Sequence, residues 1–211
     1  MSAATFLRSA TAASLLLALA IPAAQATTWT DWTSATATTA SGVAGNVTVN
    51  FSSTSGLWGW QTDGGTNFYS PWPDGAEQPD NTDILMFGAD GTRTITFSQA
   101  VSHVTLALVS WNVGGTVSFD QAFSSAAIGC GYWGCGAILG VNNNTGFNAS
   151  GEVHGTLTFS GPITSLTITD STEYWHGVTV GIGAPVPEPA TYVLMALGMV
   201  ALGLRAHRRQ A

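Results

Sequence analysis

The chain has 211 residues, a formal net charge of −7 and only 8% charged residues, with a mean hydropathy of +0.24. Its cations are all arginines, and Arg8, Arg205, Arg208 and Arg209 sit near the two ends, which leaves Arg93 alone among twelve acids. Nucleic acids and anionic membrane surfaces attract basic patches, so a body this acidic excludes both as partners.

The first 26 residues read as a signal peptide. Arg8 supplies a positive start, Ala12 to Ile21 an apolar stretch, and Ala24-Gln25-Ala26 a small-x-small cleavage site. The mature chain is expected to begin at Thr27. Residues 27–183 then form one domain, long enough for a real core.

Within that domain the hydrophobic period is two. Val47, Val49 and Phe51 alternate with polar residues, as do Ile95 and Phe97, and Val104, Leu106 and Leu108. Val117 and Phe119, Val153 to Phe159, Leu166 and Ile168, and Val178 to Ile182 continue the habit. Each reads as a half-buried strand, and Gly, Pro, Asn and Asp clusters separate them. Many Thr and Ser and no helical stripe point the same way. The expected fold is all-β, an antiparallel β-sandwich of jelly-roll type, with a single hydrophobic helix at the C-terminus.

An internal echo bears on topology. Thr94-Ile95-Thr96-Phe97-Ser98, with Val101, Val104 and Leu106 behind it, aligns without gaps onto Thr156-Leu157-Thr158-Phe159-Ser160 with Ile163, Leu166 and Ile168. Each copy reads as a strand, a tight turn and a second strand, and Pro162 suits the second turn.

Aromatic residues concentrate between Leu57 and Asp74. Trp58, Trp60, Tyr69 and Trp72 lie there among Gly, Asp and Asn, and either stack on sugar rings or plug the end of the sandwich. The acidic stretch Asp74, Glu77, Asp80 and Asp83 raises calcium, a hard cation that takes oxygen ligands, although its spacing does not fit an EF-hand loop. Cofactors are otherwise not expected. Cys130 and Cys135, an even count in an exported chain, point to a disulfide closing a small loop.

Catalysis has little support. Glu152 and His154, two apart on a strand, read as a metal pair or an ordinary surface pair. Asp170, Glu173 and His176 form another acid–imidazole group without a nucleophile at a recognisable elbow. No catalytic or metal-ligating residue is assigned.

The tail, 184–211, is tripartite. Val186-Pro187-Glu188-Pro189 precedes an apolar run from Ala190 to Leu204, and Arg205, Arg208 and Arg209 follow. Prolines flanking a glutamate mark extended, accessible backbone. Fifteen residues make a helix of roughly 22 Å, short of a hydrocarbon core of about 30 Å, which suits a transient membrane hold better than a permanent anchor. The arginines form a stop of the kind retained in the cytoplasm.

This layout resembles the PEP-CTERM sorting signal, recognised by exosortase, an integral-membrane cysteine transpeptidase-like enzyme. The resemblance implies a Gram-negative-type bacterium that makes extracellular polysaccharide, and release or re-attachment of the protein at the cell surface. The expected function is accordingly a non-catalytic surface or extracellular-matrix protein associated with that polysaccharide. The alternatives are a secreted glycan-active enzyme and an ice-binding or adhesin-type surface protein, the latter motivated by the threonines of Thr36 to Thr39.

Overall fold

The computed structural model describes residues 26–112, 116–171 and 173–183, with positions 198, 199, 202 and 205 of the tail. The expected signal peptide up to Gln25, the Val186 to Pro189 motif, most of the apolar run, and Arg208 and Arg209 lie outside the described residues. Gly198, Met199, Leu202 and Arg205 have helical geometry. Among the described residues, no helix is long and apolar enough to cross a membrane.

The body is all-β. Its strands are β1 (Thr28–Trp29), β2 (Asp31–Ala35), β3 (Thr39–Ala44), β4 (Val47–Ser53), β5 (Gly59–Gln61), β6 (Ile84–Phe87) and β7 (Gly91–Trp111). They continue as β8 (Thr116–Phe119), β9 (Ser125–Gly131), β10 (Gly134–Val141), β11 (Gly146–Gly151), β12 (Val153–Asp170) and β13 (His176–Ile182).

Two long strands organise the rest. β7 has 21 residues and β12 has 18; at about 3.3 Å per residue a straight β7 would span roughly 70 Å, far more than one compact domain accommodates. Both therefore bend. They pair antiparallel along most of their lengths, with register shifts between Ser160 and Ile163 and between Ile163 and Ser165, and Gly161 adopts φ 116° at the bend. The first half of β7 pairs with β4, which continues to β3 and β2, while its second half pairs with β13. Beyond β13 lie β6, β5 and β1.

This arrangement corrects the two expected hairpins. The chain does not reverse after Phe97 or after Phe159; each echo copy is a single bent strand, and the partner of each copy is the other one, with Leu157 opposite Leu106 and Leu166 opposite Ile95. A bulge inserts residues without reversing direction, and in sequence it carries the same glycine and proline signature as a turn.

The architecture also differs from a jelly roll of two separate sheets. β12 pairs with β8, β8 with β11, β11 with β10, β10 with β9, and β9 returns to β12, closing a five-stranded barrel with the other strands extending from it. The closing segment, β9 to β11, is rich in Gly, Ala and Ser, whose small side chains tolerate tight curvature.

The expected inward residues, among them Val47, Val49, Phe51, Ile95, Leu106, Val117, Leu157, Phe159, Ile168 and Val180, are all buried. Fully burying such a side chain stabilises by about 1.5–3 kcal/mol. A smaller second cluster of Trp29, Tyr69, Ile84, Ala107 and Val109 lies apart from the main one, with Phe68, Trp72, Met86 and Trp175 packed against it. From Val104 to Trp111 every residue of β7 is buried, because one face of the strand meets the main core and the other meets this second cluster.

Candidate functional site

The second cluster supports a groove at the edge of the sheet. Trp58, Phe68, Ser110, Asn112, Trp133, Glu152, Tyr174 and Trp175 line a concavity of about 520 Å³. They come from separate places in the chain: the lead into β5, the β5–β6 loop, the end of β7, the β9–β10 tip, the residue before β12, and the β12–β13 loop. The rings form an almost continuous surface. Phe68 lies 5.2 Å from Trp133 and 5.3 Å from Trp175, Trp133 and Trp175 are 4.5 Å apart, and Trp58 meets Tyr174 at 5.6 Å. Several remain open to solvent: Trp58 is 59% exposed, Trp133 46% and Tyr174 85%.

The tip that carries Trp133 is a stapled hairpin. Cys130 and Cys135 face each other across β9 and β10 and are joined by a disulfide. Only Tyr132 and Trp133 lie between the paired Gly131 and Gly134, so both rings are held at the turn. Gly131 is required by close approach, because a Cβ there would stand 2.3 Å from His154.

The polar floor is built on β7 and its neighbours. Ser110 adopts φ 56°, an uncommon left-handed conformation for serine, and its hydroxyl donates to Glu152 Oε2. With its amide oriented to donate, Asn112 Nδ2 reaches Glu152 Oε1 at 2.6 Å. The backbone N–H of Asn112 donates to Glu173 Oε2. Glu173 Oε1 lies 2.9 Å from His176 Nδ1, and His176 Nε2 lies 2.7 Å from Asp170 Oδ2.

Asp170 also pairs with Arg93, whose guanidinium stacks 4.1 Å over Phe87 and donates to Ala89 O at 2.7 Å. Burial lowers the pKa of Arg93, and the Asp170 carboxylate opposes that shift. The sequence group Asp170, Glu173 and His176 is thus assembled as a largely buried network that ties the floor of the groove to the core. Glu152 and His154 are separated: Glu152 faces the groove, whereas His154 is fully buried and, among the described residues, neither of its ring nitrogens has a hydrogen-bond partner. The pair is therefore not an ordinary surface pair.

The sequence-predicted aromatic contacts divide. Trp58 lines the groove, and Trp60 is 42% exposed on β5 but does not line it. Tyr69 is a core residue, fully buried, with its hydroxyl donating to Asp83 O at 2.6 Å. Trp72 is half-buried against Tyr69 and donates to Glu77 O at 3.3 Å. Sequence reasoning missed Trp133, Tyr174 and Trp175. The signal that could have found them is the repeated Tyr-Trp doublet, Tyr132-Trp133 and Tyr174-Trp175, in glycine-rich or acidic loops.

The acidic loop serves the fold. Asp83 accepts the Trp32 N–H at 2.8 Å, and burial raises its pKa. Glu77 accepts the Thr27 N–H and hydroxyl at 2.9 and 2.6 Å. Among the described residues no group of three His, Cys, Asp or Glu is placed to hold a metal ion. The Thr36 and Thr39 hydroxyls bond to each other at 2.8 Å at the β2–β3 turn. Cross-strand pairing extends this polar face as Thr39–Ser52–Thr94–Thr167, beside a second row of Ser41–Asn50–Thr96–Ser165.

Residues 185–209 match the family model of the PEP-CTERM protein-sorting motif. The chain carries a PEP-CTERM sorting signal. That motif implies processing by exosortase in the membrane, and export and sorting to the cell surface of a Gram-negative bacterium. It covers the tail and leaves the β-body unassigned. Comparisons with curated proteins and with solved structures gave no match.

Proposed function

We propose that this PEP-CTERM protein is a non-catalytic component of the cell surface or extracellular matrix, and that it holds extracellular polysaccharide in the aromatic groove. The observation that carries this reading is the convergence of Trp58, Phe68, Trp133, Tyr174 and Trp175 on one concavity floored by Ser110, Asn112 and Glu152. Flat apolar rings suit the C–H faces of pyranose sugars, and the neighbouring amide, hydroxyl and carboxylate suit their hydroxyls. Rings needed only for packing would be covered, and Trp58 and Tyr174 are largely bare.

Affinity electrophoresis of the exported protein through gels containing the producer's polysaccharide tests this. The wild type is expected to be retarded. Trp58→Ala and Trp133→Ala should each run several-fold less retarded, with melting temperatures within a few degrees of wild type, since neither ring is buried. Unretarded wild-type protein would overturn the proposal. Progressive shortening of the polymer, abolished by Glu152→Gln, would replace it with the glycan-active alternative.

The two polar rows, mostly hydroxyls, favour a second reading, an ice-binding or adhesin-type face. Neighbouring strands of a sheet lie about 4.8 Å apart, so Thr39, Ser52, Thr94 and Thr167, on four adjacent strands, form a regular polar ladder. Inhibition of ice recrystallisation that is lost in Thr94→Val/Thr96→Val would support it.

A further inference from the structure

We propose that the groove selects glycans bearing free amino groups, such as polymers of partly deacetylated hexosamine; this rests on the carbohydrate reading above. Among the described residues, Glu152 is the only charged side chain lining the groove, and Ser110 and Asn112, which meet it, are neutral donors. Across residues 27–183 eleven acids face a single cation, Arg93, which is fully buried and paired with Asp170. No cation is therefore available to neutralise Glu152 from within the described groove.

The rings around Glu152 act in the same direction. Aromatic faces carry a negative quadrupole and attract cations, most strongly at tryptophan. Trp58, Trp133 and Trp175 supply such faces together with Phe68 and Tyr174. A protonated amine on a pyranose ring satisfies both features at once, its ammonium meeting the carboxylate and the rings while its C–H face stacks. A uronic-acid polymer would bring its own carboxylates against Glu152 and against a body of uniformly negative charge, which is a repulsive juxtaposition. The disulfide-stapled tip, with Trp133 already in place, limits the ordering required on binding.

The exported protein is titrated with three soluble oligosaccharides of equal length: an oligomer of glucosamine, its fully N-acetylated counterpart and a neutral β-glucan, at a pH where the free amines are charged. The glucosamine oligomer is expected to bind about tenfold more tightly than the other two. Glu152→Gln keeps an acceptor for Ser110 and should remove most of that preference, the glucosamine oligomer losing several-fold more affinity than the acetylated and neutral oligomers. Oligolysine of matched charge should not compete. Equal or tighter binding of the acetylated or neutral oligomer would overturn the amine selection and leave the carbohydrate reading standing. Competition by oligolysine would also overturn it, by assigning the retention to the acidic surface as a whole. Failure of all three oligomers, with the native polysaccharide still retarding the protein, would reject amine selection alone; failure of that gel as well would reject both.

Discussion

His154 shows how a single side chain can couple this fold to pH. Its imidazole is fully buried and unpartnered, and burial pushes its pKa down from the ordinary 6.5 to about 4. Between those values the unfolded chain takes up the proton and the folded one does not, so stability is fully present above pH 6.5 and falls as pH drops toward 4. The loss reaches up to about 3 kcal/mol. Asp83, whose carboxyl is raised by burial, acts in the opposite direction, favouring the fold as pH falls. Melting temperatures across this window should therefore drop for wild type and change less for His154→Leu, the difference isolating the imidazole. The Arg93–Asp170 pair is a second residue-scale determinant. Asp170→Asn removes the carboxylate paired with the buried guanidinium, and urea unfolding should show a loss of about 3 kcal/mol.

The β9–β10 hairpin joins stability to recognition. Its disulfide closes a loop of a few residues between Cys130 and Cys135, so its entropic contribution is only about 2 kcal/mol. The larger effect is expected at the tip, where Tyr132 and Trp133 are held by the strand pairing that the bond enforces. Cys130→Ser/Cys135→Ser should lower the melting temperature by several degrees and weaken polysaccharide retardation more than that loss of stability explains. Retardation unchanged from wild type would show that strand pairing holds the tip without the bond. The long strands β7 and β12 teach a complementary lesson. Their alternation was legible residue by residue, with Ile95, Phe97, Leu157 and Phe159 inward as expected. Their continuity through the bend was not, because the glycine at 161 and the proline at 162 suit a bulge as well as a turn.

At the scale of the molecule, both ends of the chain are expected to be processed. Cleavage after Ala26 would convert Thr27 N into an ammonium facing Glu77, which already accepts from that nitrogen at 2.9 Å and from the Thr27 hydroxyl. N-terminal sequencing of the surface protein should begin at Thr27, and Glu77→Gln should increase hydrogen exchange of β1 in the mature form more than in the uncleaved precursor. At the other end, intact mass should show protein lacking Ala190 to Ala211, and Glu188→Ala should leave the tail attached. A mature, correctly located protein with its full C-terminus would make the tail a plain anchor.

Destination and strand content were written locally. The Pro-Glu-Pro motif, its apolar run and its arginines are contiguous, and an inward–outward alternation needs only a few neighbouring residues, so both could be read without knowing what packs where. The disulfide was legible for a similar reason, two cysteines five apart in an exported chain. The groove was not. Trp58, Phe68, Ser110, Trp133, Glu152 and Trp175 are scattered over more than a hundred residues and meet only because β7, β12 and β13 bring their ends together. Whether an aromatic ring becomes core, like Tyr69, or an open surface, like Trp58, depends on which distant strand covers it, and composition around the ring carries no record of that. Closure of the barrel was hidden for the same reason, since β9 to β11 lack large alternating side chains and are held as strands by the pairing partners that tertiary structure supplies.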